Sequence, residues 1–130
     1  MRTDATHVLA RIRKLNRLTL VGETLRYALN ELAKVAPDWL RRQVDATWYE
    51  RYGRRVEDYR LPSAETEPDA LGQSIGEEGL VLLTKVVSSD VPAAWRHLPA
   101  VEVLQQVWNQ QYDLMEKYIR LRIIDSHSVV

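Results

Sequence analysis

Asp4 stands in the polar run Arg2-Thr3-Asp4-Ala5-Thr6-His7-Val8, ahead of the first apolar periodicity of the chain. A carboxylate there has two uses. Asp4 or Thr6 can cap a helix that starts at this point, where the helix dipole favours negative charge. Alternatively, Asp4 can ligate magnesium, a hard cation that prefers carboxylate oxygen. His7 lies three residues on and can share a helical face with Asp4, but one histidine and one aspartate do not make a metal site. No HExxH-type spacing occurs, and His97 and His127 stand alone.

A second candidate is the segment from Trp39 to Arg60. It interleaves Trp39, Trp48, Tyr49, Tyr52 and Tyr59 with Arg41, Arg42, Arg51, Arg54, Arg55 and Arg60. Arginines on phosphates beside aromatics stacked on bases make a nucleic-acid surface. The competing reading makes Trp48 and Tyr52, four residues apart, core anchors. The arginines are then a solvated face offset by Asp45, Glu50, Glu57 and Asp58. Gly72, Gly76 and Gly79 follow no strand, so they read as helix punctuation rather than a phosphate loop.

Helices must position these residues. Val8, Ile12, Leu15, Leu18, Val21, Leu25, Ala28, Leu32 and Val35 recur every three or four residues and predict one long helix, or two in line. Its weak point is Leu18 to Gly22, and Pro37 ends it. Pro37 opens a short helix to Val44, and Asp45 caps another over Ala46 to Tyr52. Leu61 to Asp69, with Pro62 and Pro68, reads as a linker. Ala70–Ile75 and Gly79–Val87 read as two short helices parted at Gly76. Pro92 starts a turn of helix. Pro99 opens a last long helix whose stripe is Val101, Leu104, Trp108, Tyr112, Met115, Ile119 and Ile123. The prediction is an all-α fold, an irregular helical bundle with long first and last helices and several short ones between, forming a single domain over 1–130.

Composition narrows the choices. The 130 residues include no cysteine, which excludes disulfide scaffolds, thiolate zinc sites and cysteine nucleophiles. No run approaches the roughly 20 apolar residues of a membrane span, and the N-terminal run lacks a signal peptide's apolar core. A cytoplasmic location without a membrane is the expectation. Eighteen basic residues balance 18 acidic ones, but residues 1–60 hold 13 Arg/Lys against 8 Asp/Glu, and residues 61–130 hold 5 against 10. A basic half is followed by a linker-like stretch, 61–69, and an acidic half from 70, so zero net charge does not exclude DNA.

The run RTDATHVLARIRKLNRLTLVGETLRYALNELA resembles the segment around the first catalytic aspartate of DDE-type transposases from bacterial insertion sequences. The likeness continues through VAPDWLRRQV, WYERYGRRVEDYRLP, IGEEGLVLLTKV and LPAVEVLQQVWNQQY, in the family's order, over roughly residues 2–112. It implies that Asp4 matches the first catalytic aspartate, on the first strand of an RNase H-like core, with Ala5 in place of the usual serine. The stretch to Tyr112 is then a helical insertion in that core. The intact family enzyme implies Mg2+, held by Asp4 with two later acidic residues. Those two have no counterpart here, and from Asp113 the chain departs from the family.

Two-metal phosphoryl transfer needs several carboxylates converging on ions roughly 3.5–4 Å apart. A lone Asp4 does not supply that geometry. The expectation is therefore a truncated transposase-like protein, catalytically inert and without a cofactor by itself, which binds DNA through Arg41, Arg42, Arg51, Arg54 and Arg55. Its expected partners are DNA, and either a second copy or the missing transposase core. The alternative is a helical protein–protein interaction module that uses the stripe from Val101 to Ile123. If residues 1–6 form a strand in the parent enzyme, that strand lacks its neighbours here and becomes helical or disordered.

Overall fold

The computed structural model describes residues 2–52, 68–115 and 118–122, with side chains for Leu9, 12–48, Tyr52, 69–115 and 118–122. Its elements are α1 (Arg2–Val35), α2 (Pro37–Gln43), α3 (Ala46–Tyr52), α4 (Pro68–Val86), α5 (Ala93–Arg96) and α6 (Pro99–Gln111). The strands β1 (Tyr112–Leu114) and β2 (Ile119–Leu121) follow. The fold is mostly helical, and no helix among the described residues is long and apolar enough to cross a membrane.

The buried stripe of α1 runs through Leu18, Val21, Leu25, Ala28, Leu29 and Leu32 and packs on α4 and α6. The helix passes unbroken through Leu18–Gly22, because Leu18, Val21 and Leu25 are buried there, and that packing outweighs the local loss of helix propensity. Residues 2–6 form its first turn. Ala36 precedes α2 with an extended φ of −148°, and Pro37 takes the first helical position, where its missing N–H costs nothing. Asp45 Oδ1 then accepts the Thr47 N–H at 2.9 Å, which is the expected cap of α3.

Two expectations are corrected. Residues 68–86 form one helix of 19 residues rather than two parted at Gly76. The glycines on it make room for aromatic rings. A Cβ on Gly76 would stand 2.2 Å from Tyr112 Cε1, and one on Gly79 would stand 2.3 Å from Trp108 Cζ2. Trp108 Nε1 donates to the Gly76 carbonyl at 3.0 Å, and Tyr112 OH donates to the Gly72 carbonyl at 2.7 Å. Close approach of the rings and two buried hydrogen bonds offset the roughly 1 kcal/mol that each helical glycine costs relative to alanine.

The last helix, expected to run from Pro99 to Ile123, has 13 residues and stops at Gln111. Tyr112 turns extended (φ −129°, ψ 151°), and the chain continues as an antiparallel hairpin that pairs Tyr112 with Leu121, Asp113 with Arg120 and Leu114 with Ile119. The guanidinium of Arg122 donates to the carbonyls of Asn109 (2.8 Å) and Tyr112 (3.3 Å). A cation thus satisfies the helix end, where the dipole is negative.

Candidate nucleic-acid interface

Arg41 and Arg42 lie in α2 and are exposed. Arg41 reaches Asp38 one turn back, at 3.6 Å, with both side chains largely in solvent. Such a pair contributes little to stability and leaves the cation accessible. Arg51 lies on α3 without a described side chain, and Arg54 and Arg55 lie outside the described residues, as does most of the linker.

Three of the interleaved aromatics, Trp39, Trp48 and Tyr52, serve the core. Trp48 and Tyr52 are buried and meet edge to face with ring centroids 6.1 Å apart. The Tyr52 hydroxyl donates to the Glu78 carboxylate. Trp39 packs on Trp95 across α2 and α5 at 5.1 Å. These rings cannot also stack on bases without leaving their packing. The stripe of α6 is likewise internal, since Val101, Leu104, Trp108 and Tyr112 are all buried.

A second basic region lies where α1, the start of α4 and the hairpin meet. Arg17 is buried, with its side chain 7% exposed. One of its nitrogens donates to the Arg122 carbonyl, and the other meets Asp69 Oδ1 at 3.0 Å. Lys14 Nζ takes the other Asp69 oxygen at 3.1 Å. Burial pulls the Arg17 pKa down, and Asp69 pushes it back up. Gln73 completes the junction by donating to the Ile119 carbonyl (2.6 Å) and accepting the Leu121 N–H (3.0 Å). An open cavity of about 370 Å3 lies among Lys14, Arg17, Asp69, Gln73, Leu121 and Arg122.

On the hairpin, Arg120 and Arg122 flank Asp113 at 3.9 and 3.3 Å. Lys14, Arg17, Arg120 and Arg122 therefore share one end of the bundle, where they pair with Asp69 and Asp113. Contacts between residues far apart in sequence assemble this region, so the charge halves did not reveal it. One signal was present: from Ala5 to Gly22 there is no acid, while Arg11, Arg13, Lys14 and Arg17 all fall there.

Asp4 lies in the first turn of α1, not on a strand. The strands among the described residues, β1 and β2, pair with each other and are remote from it in sequence. Among the described residues no three His, Cys, Asp or Glu side chains converge as metal ligands. The side chain of Asp4 lies outside those described, and no phosphoryl-transfer step is assigned to it. No protein-family model, curated protein or solved structure matches the chain.

Proposed function

We propose that this chain is the helical insertion segment of a DDE-type transposase-like protein, and that it contacts DNA without performing phosphoryl transfer by itself. The observation that carries this reading is the ordered series of family-like blocks from Arg2 to Tyr112. The packing supports it, because all five blocks contribute to one core. Leu25 and Leu32 come from the first, Leu40 from the second, Tyr52 from the third, Leu82 from the fourth, and Leu104 and Trp108 from the last. An insertion that sits as a unit within another domain needs such a core of its own.

Phosphate contacts fall to two groups of cations. One is Lys14 and Arg120 at the junction of α1 with the hairpin. The other is Arg41, Arg42, Arg51, Arg54 and Arg55. Both act through charge on the DNA backbone, since Trp39, Trp48 and Tyr52 are spent on the core. Binding to duplex DNA should weaken steeply with salt, and alanine at each group should flatten that dependence in proportion to the charges removed. Absence of binding at low salt, or the same affinity in both variants, would remove the DNA contact from this reading. Supercoiled plasmid with Mg2+ should remain intact. Nicking that disappears in Asp4→Asn would overturn catalytic inertness.

A further inference from the structure

The open cavity of about 370 Å3 at the junction of α1, α4 and the hairpin has Lys14, Arg17 and Arg122 in its walls against one carboxylate, Asp69. Its hydrogen-bonding capacity is as one-sided as its charge. Each Asp69 oxygen already has a cation, Lys14 on one and Arg17 on the other. The Gln73 oxygen is spent on the Leu121 N–H, and the Gln73 nitrogen reaches the Ile119 carbonyl and Glu77, which stands outside the cavity wall. Donors, by contrast, remain. An ammonium has three N–H groups and a guanidinium five, yet among the described residues Lys14 meets one oxygen and Arg17 two. Arg122 is set against Asp113 and the end of α6. Lys14 and Arg17 therefore face Asp69 alone, and the cavity keeps a positive charge.

We propose that this cavity binds a terminal phosphate group, as a phosphate monoester or as inorganic phosphate, with Lys14 in direct contact and Arg17 as the buried charge behind it. A cavity with donors to spare fits a ligand that only accepts, and a terminal phosphate brings three acceptor oxygens and more than one negative charge. The spacing suits it as well. Lys14 and Arg17 already share the two oxygens of one carboxylate, at 3.1 and 3.0 Å, so a single oxyanion can bridge them. Arg17 is 7% exposed and fixed by the Arg122 carbonyl, so water screens its charge weakly. The Lys14 side chain, 29% exposed, is free to turn its remaining N–H groups outward. Asp69 has two opposed effects. It holds the two cations together before the anion arrives, and it repels the anion. The proposal goes beyond the DNA-contact reading and does not depend on it, because a chain that fails to bind duplex DNA can still hold inorganic phosphate here.

Inorganic phosphate at millimolar concentration, compared with chloride at the same ionic strength, should raise the thermal unfolding midpoint of the full chain. Lys14→Met should weaken the affinity read from this rise about tenfold, and Asp69→Asn should strengthen it by about as much. Lys34→Met, in the exposed last turn of α1, should leave it unchanged. Opposite signs at Lys14 and Asp69 mark a ligand site, since loss of a purely structural ion pair would act alike from either side. If Asp69→Asn lacks a helical spectrum, Lys14→Arg carries the test: it keeps the charge and should keep the binding that Lys14→Met loses. No rise in the midpoint would overturn the proposal. An equal rise in the native chain and Lys14→Met would overturn it too, because a general salt effect stabilises both alike. Duplexes with phosphorylated and with hydroxyl ends separate the sources. Tighter binding of the phosphorylated duplex, lost in Lys14→Met, makes a strand end the ligand, whereas equal binding with the phosphate response intact makes it free phosphate.

Discussion

Arg17 and Arg41 carry the same group on helices of the same bundle and have opposite surroundings. The Arg17 guanidinium is enclosed, donating to the Arg122 backbone and to Asp69, and so ties α1 to the hairpin and to α4. The Arg41 guanidinium lies in solvent beside an equally solvated Asp38. One arginine belongs to the fold and the other to whatever approaches the surface. The surroundings of α4 and α2 differ in the same way. The glycine face of α4 is filled by Tyr112 and Trp108, whereas α2 buries Leu40 and leaves its arginines free of the core. Counting cations along a chain does not separate the two roles, but counting the backbone carbonyls each one satisfies does.

If the junction of α1, α4 and the hairpin is the locked region, the largest effect should come from filling its notch. Gly76→Ala puts a methyl group into the Tyr112 ring and should cost about 3 kcal/mol in urea unfolding. A cost near zero would mean that the ring is not confined. Arg17→Met should cost about 2 kcal/mol by leaving the Arg122 carbonyl without its donor and Asp69 with Lys14 alone.

Tyr112→Phe removes one buried hydrogen bond and should cost about 1 kcal/mol at neutral pH. Burial raises the Tyr112 pKa above its ordinary 10.0. The unfolded chain therefore releases the phenolic proton first, and native stability should fall as pH rises above 10. The phenylalanine variant should lack that part of the decline, which a series of unfolding midpoints from pH 8 to 11 can read. At the other end of the scale, Arg41→Ala should change stability by less than about 0.5 kcal/mol while weakening DNA binding. A larger loss of stability would erase the distinction between the two arginines.

The parts legible in the sequence are those set by neighbours. Pro37 and Pro99 open helices, Asp45 caps α3, and the three-and-four spacing of α1 marks its buried face. The role of Gly76 was not legible, because its meaning depends on Trp108 and Tyr112, more than thirty residues away. The end of α6 was hidden for a related reason. Tyr112 and Ile119 continue the helical spacing of Leu104 and Trp108, yet Arg122 and Gln73 hold them in a hairpin. In the candidate site, Trp48 and Tyr52 were recognisable as a core pair and Arg41 and Arg42 as surface cations. The cluster around Asp69 was not, since it joins Arg17 to a residue 105 positions later.

The side-chain amide of Gln73 also gives the small sheet a direction of growth. Tyr118 and Arg122 spend their backbone groups toward β1, so the Ile119 carbonyl and the Leu121 N–H point the other way, and Gln73 holds both. One residue of α4 thus stands where a third strand would lie. Any strand that joined this sheet would have to add beside Leu114 or evict Gln73, and eviction would loosen α4 from the hairpin at the same moment.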